Sequence, residues 1–281
     1  MLWFDGALHE GTRHGFDLAD RGLTLGDGIF DTALCLGGRI AFSEDHLARL
    51  VASAEALGFA IDRQTMEAGL EKIATAIGDG VIRTTVTRGS GPRGLAPPEP
   101  ASPVWWINAT PRRAGSGFAP VSLHPTAIRR NETSPGARIK TLGYLDAVLA
   151  AREARAQGFD EALFLNMRGR IACAGTGNLF AIIEGRLVTP PLSDGVLSGI
   201  VRARILGLAD ALGIGAEERS LDLDEVLGAE AVFMTNSLRG LSPVTAIGTT
   251  TFAGPHAIVA ALSRALRALI AAECGVPPDL P

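Results

Sequence analysis

Ala137-Arg138-Ile139-Lys140-Thr141-Leu142-Gly143-Tyr144-Leu145-Asp146-Ala147-Val148-Leu149-Ala150 carries a lysine on a short loop that opens directly into an apolar helix, and the rest of the chain reads as a scaffold for that lysine. Leu142, Leu145 and Leu149 recur at helical spacing, so they are expected to bury one face of a helix that Gly158 ends. Lys140 is then anchored one turn before a rigid element. A lysine becomes a nucleophile when desolvation or a neighbouring cation lowers its ammonium pKa, and the same amine forms a Schiff base with a carbonyl cofactor. A lysine ahead of a helix is more often a solvated surface residue, so the remainder of the chain has to shift the balance.

The 281 residues are 47% apolar and 20% charged, enough for two sizeable cores, yet no apolar run reaches membrane-spanning length. A soluble chain is expected. Met1-Leu2-Trp3-Phe4-Asp5-Gly6 shows no basic segment followed by an apolar stretch, so no secretory signal is expected either. Cys35, Cys173 and Cys274 are far apart and lack metal-ligand spacing or a disulfide pattern, which fits a reducing cytoplasm and no metal centre. A net charge of −4 without a basic block argues against non-specific nucleic-acid binding and leaves individual arginines to hold small anions.

Around this frame, Trp3 to Leu8 reads as a hairpin through Asp5-Gly6, and Ile29 to Cys35 and Arg39 to Phe42 as strands joined by Gly37-Gly38. Two glycines flank Asp27 in a tight turn entering the first of those strands. Ser43 is the expected N-cap of a helix striped by Leu47, Leu50, Val51, Ala54 and Leu57; Arg49 lies off that stripe, either solvated or able to bind a phosphate bidentately. A second helix starts at Asp62 with Met66, Leu70, Ile73 and Ile77 on one face and Gly78 as its stop. The strand Val81 to Thr87 runs into a Gly- and Pro-rich loop in which Arg93, beside a pocket, would receive a carboxylate. Another strand covers Val104 to Asn108, and linker-like composition over Pro111 to Gly117 marks a domain boundary.

In the second half, Arg129-Arg130-Asn131-Glu132 is expected to be a polar, exposed approach to the lysine loop. Ala162 to Leu165 and Ile171 to Cys173 form a hairpin, followed by the small-residue turn Ala174-Gly175-Thr176-Gly177, against which a flat ring could lie. Asp194 to Arg202 places a glycine-containing loop before a helix striped by Val201, Ile205, Leu208 and Leu212, and the unpaired N–H groups of such a helix start suit a phosphate. Ala231 to Met234 is a buried strand ending in the hydroxyl- and amide-rich Thr235-Asn236-Ser237-Leu238-Arg239-Gly240. A closing helix carries Ile258, Leu262, Leu266 and Leu269 on one side.

The ordered set Gly26-Asp27-Gly28-Ile29-Phe30-Asp31, His46-Leu47-Ala48-Arg49-Leu50, Lys140, Asn178-Leu179-Phe180, Gly199-Ile200 and Pro243-Val244 closely resembles the class IV aminotransferase family over nearly the whole chain. The order and spacing of these motifs carry the resemblance rather than any one of them. That family comprises branched-chain and D-amino-acid aminotransferases, some amine transaminases and 4-amino-4-deoxychorismate lyase, all using pyridoxal 5′-phosphate. The resemblance implies an α+β or α/β chain in the two-domain fold-type IV, D-amino-acid aminotransferase-like architecture, with mixed sheets and flanking helices. A small N-terminal domain would span residues 1–110, a linker 111–119, and a larger C-terminal domain carrying the lysine 120–281. The family works as a dimer, which implies at least a homodimer here.

By the same resemblance, Lys140 forms the internal aldimine and shuttles the proton of the substrate α-carbon. Arg49, the amides of Ile200 and Val201, and Ser237 would hold the cofactor phosphate, and Tyr144, the chain's one tyrosine, its phenolic oxygen. Phe30 would meet the substrate, and Arg93 with the amides near Ser237 and Leu238 would receive its carboxylate. One departure matters. Counting back from Asn178-Leu179-Phe180, the family's glutamate that pairs with the pyridine nitrogen falls on Cys173, a neutral thiol that does not keep that nitrogen protonated. Val201 also stands where a hydroxyl residue is common, leaving only its amide. The expected activity is transfer of an amino group between an amino acid, D-type or branched-chain, and a 2-oxo acid. The lyase is the close alternative, favoured by Thr235 to Gly240, and a catalytically silent cofactor-binding homologue the remote one. The Arg88-Gly89 to Arg93-Gly94 loop resembles both the D-amino-acid and the lyase branches.

Overall fold

The computed structural model describes residues 1–113, 115 and 117–277; Ala114 and Ser116 of the expected linker, and residues 278–281 of the expected larger domain, lie outside the described residues. The chain divides into two compact units. The first contains Met1–Arg113, Ile139–Gly143 and Ile270–Pro277; the second contains the stretch ending at Arg138 and Tyr144–Leu269.

The first unit contains β1 (Leu2–Phe4), β2 (Ala7–His9), α1 (Arg21–Leu25), β3 (Gly28–Leu36), β4 (Arg39–Ile40), α2 (Ser43–Ala56), α3 (Arg63–Ile77), β5 (Gly80–Thr87) and β6 (Val104–Pro111). Its strands form an antiparallel sheet in the order β2-β1-β6-β5-β3-β4. Alternation along β3 sends Ile29, Ala33 and Cys35 into the core, where they pack with Leu47, Leu50 and Ala54 of α2 and Met66, Leu70 and Ile73 of α3. Asp31 shares that inward face, so a carboxylate is buried beneath the sheet. Asp62 caps α3 as expected, accepting from the amides of Gln64 and Thr65. Ser43 does not cap α2: it is the first helical residue, and the cap position belongs to Phe42, whose φ is +56°. Just ahead of the turn around Asp27 lies a helix that periodicity did not reveal, α1, capped by Asp20 through the Gly22 amide and ended at Gly26.

The lysine loop joins this sheet. The Phe30 N–H donates to Lys140 O over 2.9 Å, the Leu142 N–H donates to Gly28 O over 3.0 Å, and Ile29 and Thr141 face each other in an antiparallel bridge. The lysine therefore groups with the first unit rather than with residues 120–281, because its backbone bonds are to β3. Gly28 permits this approach, since a Cβ there would meet Val86 O at 2.5 Å and Leu142 Cδ1 at 2.8 Å.

The second unit contains β7 (Val121–Arg130), α4 (Leu145–Ala156), β8 (Glu161–Asn166), β9 (Ile171–Ala174), β10 (Asn178–Ile183), β11 (Arg186–Thr189), α5 (Ile200–Ala211), β12 (Ala216–Glu218), α6 (Leu223–Leu227), β13 (Ala231–Asn236), β14 (Gly240–Ile247) and β15 (Thr250–Thr251). A final helix, α7 (Ala257–Cys274), starts in this unit and ends in the first. The strands run β12-β11-β10-β13-β14-β7-β8-β9, with β15 on β14, and the sheet is mixed: β11 with β12, β14 with β7 and β7 with β8 are parallel. Leu123, Leu163, Leu179, Val232 and Met234 fill one side of it.

Two expectations in this unit are overturned. In α4 the buried face is Ala147, Ala150 and Ala154, whereas Leu145 is 68% exposed and Val148 60%. Alanine is small enough for the helix to lie close on Ala162 and Phe164 of β8, and the leucines face outward. The expectation of an exposed approach fails at Glu132: Arg129 and Asn131 are exposed, but Glu132 is buried, its Oε2 accepting from the Met167 N–H at 3.1 Å and its Oε1 lying 3.3 Å from Arg168 Nε. Among the described residues no helix is long and apolar enough to cross a membrane.

Candidate active site

In the first unit Lys140 Nζ lies 4.4 Å from the centroid of the Phe30 ring, and the guanidinium of Arg83 lies 3.8 Å from the same centroid. The negative face of the ring attracts both cations, so Phe30 orients the amine as well as bonding its backbone. Arg83 escaped the sequence reading. Its signal was faint: one charge inside the β-branched run of β5, opposite Thr32 and two residues from the partner of Phe30.

Arg49 lies at the edge of α2 facing Asp31. Arg49 Nε donates to Asp31 Oδ2 at 2.8 Å and Nη2 to Oδ1 at 2.9 Å, while His46 Nδ1 lies 2.6 Å from Asp31 Oδ1. Burial pushes the Asp31 carboxyl up, but His46 and Arg49 together outweigh it and hold it below the ordinary aspartate value. His46 and Arg49 are three residues apart on one helical face, so a single carboxylate reaches both. The fork of Arg49 is thereby fixed in direction, which a bidentate phosphate receptor needs.

Arg93 is exposed in its loop. What holds the loop is Arg21, a buried residue of α1, which donates to the carbonyls of Leu95 at 2.9 Å and Gly94 at 3.1 Å and whose Nε meets Asp27 Oδ2 at 2.8 Å. Arg88 Nε meets the same Asp27 oxygen, also at 2.8 Å. Asp27 thus clamps two guanidinium groups beneath the loop, a role that the turn reading of Gly-Asp-Gly did not foresee.

In the second unit, Gly199 is the N-cap of α5 and has no side-chain cap bond. A Cβ on Gly199 would lie 1.9 Å from Asn178 Oδ1, so any larger residue there would have to displace the Asn178 side chain. Asn178 Nδ2 donates to Leu197 O at 2.9 Å and fixes the preceding loop. The first-turn amides of Ile200 and Val201 have no intrahelical acceptor and carry the positive end of the helix dipole. Asn178 pairs with Thr235 of β13, and Thr235 Oγ1 is buried without a hydrogen-bond partner among the described residues.

Ser237 and Leu238 lie in the turn between β13 and β14, both half-buried. The Leu238 N–H already donates to Asn236 Oδ1 at 3.0 Å and the Arg239 N–H to the same atom at 2.7 Å, so of the two expected carboxylate-binding residues only Ser237 stays outside these internal bonds. Tyr144, half-buried, occupies the cap position of α4 without a side-chain cap bond. Cys173 pairs with Phe164 in the β8–β9 hairpin and packs, half-buried, on the cluster of Ala150, Ala154 and Ala162.

The sequence profile described as amino-transferase class IV matches residues 28–247. The chain belongs to the class IV aminotransferase family. A putative branched-chain-amino-acid aminotransferase of Methanocaldococcus jannaschii is 32% identical over 233 residues, 80% of each chain, and the D-alanine aminotransferase of Bacillus licheniformis is 28% identical over 257 residues, 87% of each. Among solved structures, the 4-amino-4-deoxychorismate lyase of Pseudomonas aeruginosa is 31% identical and superposes with a TM-score of 0.84 over 97% of this chain and 98% of its own. The protein is an enzyme of this pyridoxal 5′-phosphate-dependent class IV family, with the two-domain α+β architecture of fold type IV that the motif order implied.

Proposed function

We propose that the protein is a pyridoxal 5′-phosphate-dependent aminotransferase that moves an amino group between an amino acid, of D-amino-acid or branched-chain type, and a 2-oxo acid. The observation that carries this reading is Lys140: its own carbonyl and the Leu142 N–H two residues on are bonded to β3 while its amine stands over the Phe30 ring. A fixed backbone with a long side chain suits an amine that must both attach a group and carry a proton.

The residues present fit that cofactor. The phosphate needs donors without built-in acceptors, and the chain offers the uncapped start of α5 with glycine at its cap and the orphaned Thr235 hydroxyl. Arg49, aimed by Asp31, supplies a guanidinium of the matching geometry. When bound, pyridoxal 5′-phosphate supplies an aldehyde and a conjugated ring that draws electrons from the substrate α-carbon. Lys140 Nζ would hold the group and take the α-proton. Arg49, Ser237 and the amides of Ile200 and Val201 would grip the phosphate, and the Tyr144 hydroxyl the phenolic oxygen. Cys173 would leave the ring nitrogen without a carboxylate partner. Phe30 would pack on the substrate, whose carboxylate would be received by Arg93 and Ser237.

A homodimer in the cytoplasm is part of the same reading. It is supported by the outward Leu145 and Val148 of α4, apolar groups that a second copy would cover. A second reading, elimination from 4-amino-4-deoxychorismate to give 4-aminobenzoate and pyruvate, is favoured by the 31% identity to the Pseudomonas enzyme.

The test is direct. Incubated with pyridoxal 5′-phosphate and reduced with borohydride, the chain should carry a pyridoxyl adduct on Lys140 by mass spectrometry. Lys140→Ala should carry none and lose about 10³-fold or more in rate, since a positioned proton carrier alone contributes about 10²–10⁴-fold. A wild-type chain without adduct overturns the reading. Release of a 2-oxo acid from D- or L-amino acids identifies the aminotransferase, and release of 4-aminobenzoate the lyase.

A further inference from the structure

Glu161 is the first residue of β8 and 7% exposed, yet it plays no part in the chemistry proposed above. Its surroundings are ordered. Thr176 Oγ1 donates to Glu161 Oε1 at 2.8 Å, and because that hydroxyl has one proton, the same oxygen can only accept from Asn236 Nδ2, 3.2 Å away. Asn236 is thereby turned with its nitrogen toward Thr176 and its oxygen toward the chain ahead of it. That oxygen accepts from the N–H groups of Leu238 and Arg239. Room for the carboxylate is built into the backbone: a Cβ on Gly175 would lie 2.7 Å from Glu161 Oε2.

We propose that Glu161 is a positioning residue for the turn Ser237–Arg239, acting through Thr176 and Asn236, and that it keeps Ser237 presented to an anion. The chain of donors has one sense. The carboxylate sets the hydroxyl, the hydroxyl sets the amide, and the amide oxygen pins two N–H groups while Ser237 between Asn236 and Leu238 stays out of the network. An apolar residue at 161 would leave the Thr176 proton without its acceptor and free Asn236 to flip, so the turn would lose its fixed shape. Burial raises the Glu161 carboxyl above the ordinary glutamate value, partly offset by Thr176 and Arg239 and reinforced by Asp160. The positioning role rests on the reading that Ser237 grips the cofactor phosphate; the geometry of the relay does not.

Two measurements separate these. Amide hydrogen exchange at Leu238 and Arg239 reads the relay without any cofactor: Glu161→Met and the isosteric Thr176→Val should each speed it about tenfold, the consequence of one lost hydrogen bond, while Thr176→Ser stays close to wild type. The double variant should be no faster than Thr176→Val alone, because the two groups act in series. Titration with pyridoxal 5′-phosphate and with pyridoxal then reads the function. The variants should bind the phosphorylated form several-fold more weakly and pyridoxal unchanged. Exchange at Leu238 and Arg239 unaltered in both variants overturns the relay. Faster exchange with an unaltered preference for the phosphorylated form overturns the link to anion binding. Failure of wild type to bind either form removes the proposed function and leaves the relay to be judged by exchange alone.

Discussion

Asp31 in β3 of the first unit and Glu161 in β8 of the second are both buried carboxylates, and they are held in opposite ways. Asp31 meets charge: His46 and Arg49 converge on it and it stays ionised, its pKa below the ordinary value. Among the described residues Glu161 is hydrogen-bonded only by the neutral hydroxyl and main-chain N–H of Thr176; burial outweighs these and the attraction of Arg239, and its pKa is raised. The same division separates the two candidate anion-binding elements. The first unit relies on a guanidinium whose direction is fixed by a counter-charge; the second relies on neutral dipoles, the start of α5 and the turn after β13, whose direction is fixed by close packing. The first should therefore be sensitive to lost charge and to acid, and the second to shape.

The largest expected effect breaks the charged side of this contrast. Asp31→Ala leaves His46 and Arg49 facing a buried gap and should cost about 3–5 kcal/mol, read from the urea midpoint at unchanged slope. A loss of less than about 1 kcal/mol, typical of exposed pairs, would show that the cluster is not holding Arg49. Next comes shape. Gly199→Ala drives a methyl group into Asn178 Oδ1, so an overpacking cost of about 1–3 kcal/mol is expected, together with weaker binding of pyridoxal 5′-phosphate. An alanine variant as stable as wild type would remove the tight approach from the account.

The smallest effect is the most diagnostic, because the two carboxylates should give slopes of opposite sign. For Asp31 the folded pKa lies below the ordinary 3.8, so its contribution to stability is complete above 3.8 and disappears as pH falls through the folded value. For Glu161 the folded pKa lies above the ordinary 4.5, so the native state binds its proton first and this group's contribution declines as pH rises from 4.5 through the folded value. Each slope is worth about 1.4 kcal/mol per unit of separation between folded and unfolded pKa. Asp31→Asn should flatten the acid limb of a stability-against-pH curve, and Glu161→Gln should flatten the decline above it. Slopes of one sign in both variants would contradict the assignment of charge to one unit and neutral bonding to the other.

What the sequence made visible follows the same line. α3 was legible because an aspartate cap precedes Met66, Leu70 and Ile73 at helical spacing, and the hairpins were legible from their turn residues. α4 was misread because leucine spacing outranked alanine, although the tight approach to β8 selects the smaller residue. Lys140, Phe30, Arg49 and the α5 start could be singled out by motif order. Their partners could not: Asp31 meets His46 fifteen residues along the chain, and Glu161 reaches Asn236 through a hydroxyl from a third segment. Pairings of that kind are set by strand register and helix face together, which a one-dimensional pattern leaves open. The Leu238 amide shows the reverse error, a donor read as available that the residue two positions earlier already occupies.

The double attachment of the lysine loop to β3 has a kinetic meaning. With the two peptide groups that follow Lys140 engaged by Phe30 and Gly28, the loop has little freedom to swing on that side, and the travel of the amine comes mainly from rotation about its own methylene bonds. Side-chain rotations of that sort run on picosecond to nanosecond scales, whereas loop rearrangements take far longer. The amine to which the proposed function gives both attachment and proton carriage is thus decoupled from the slow motions of the surrounding polypeptide.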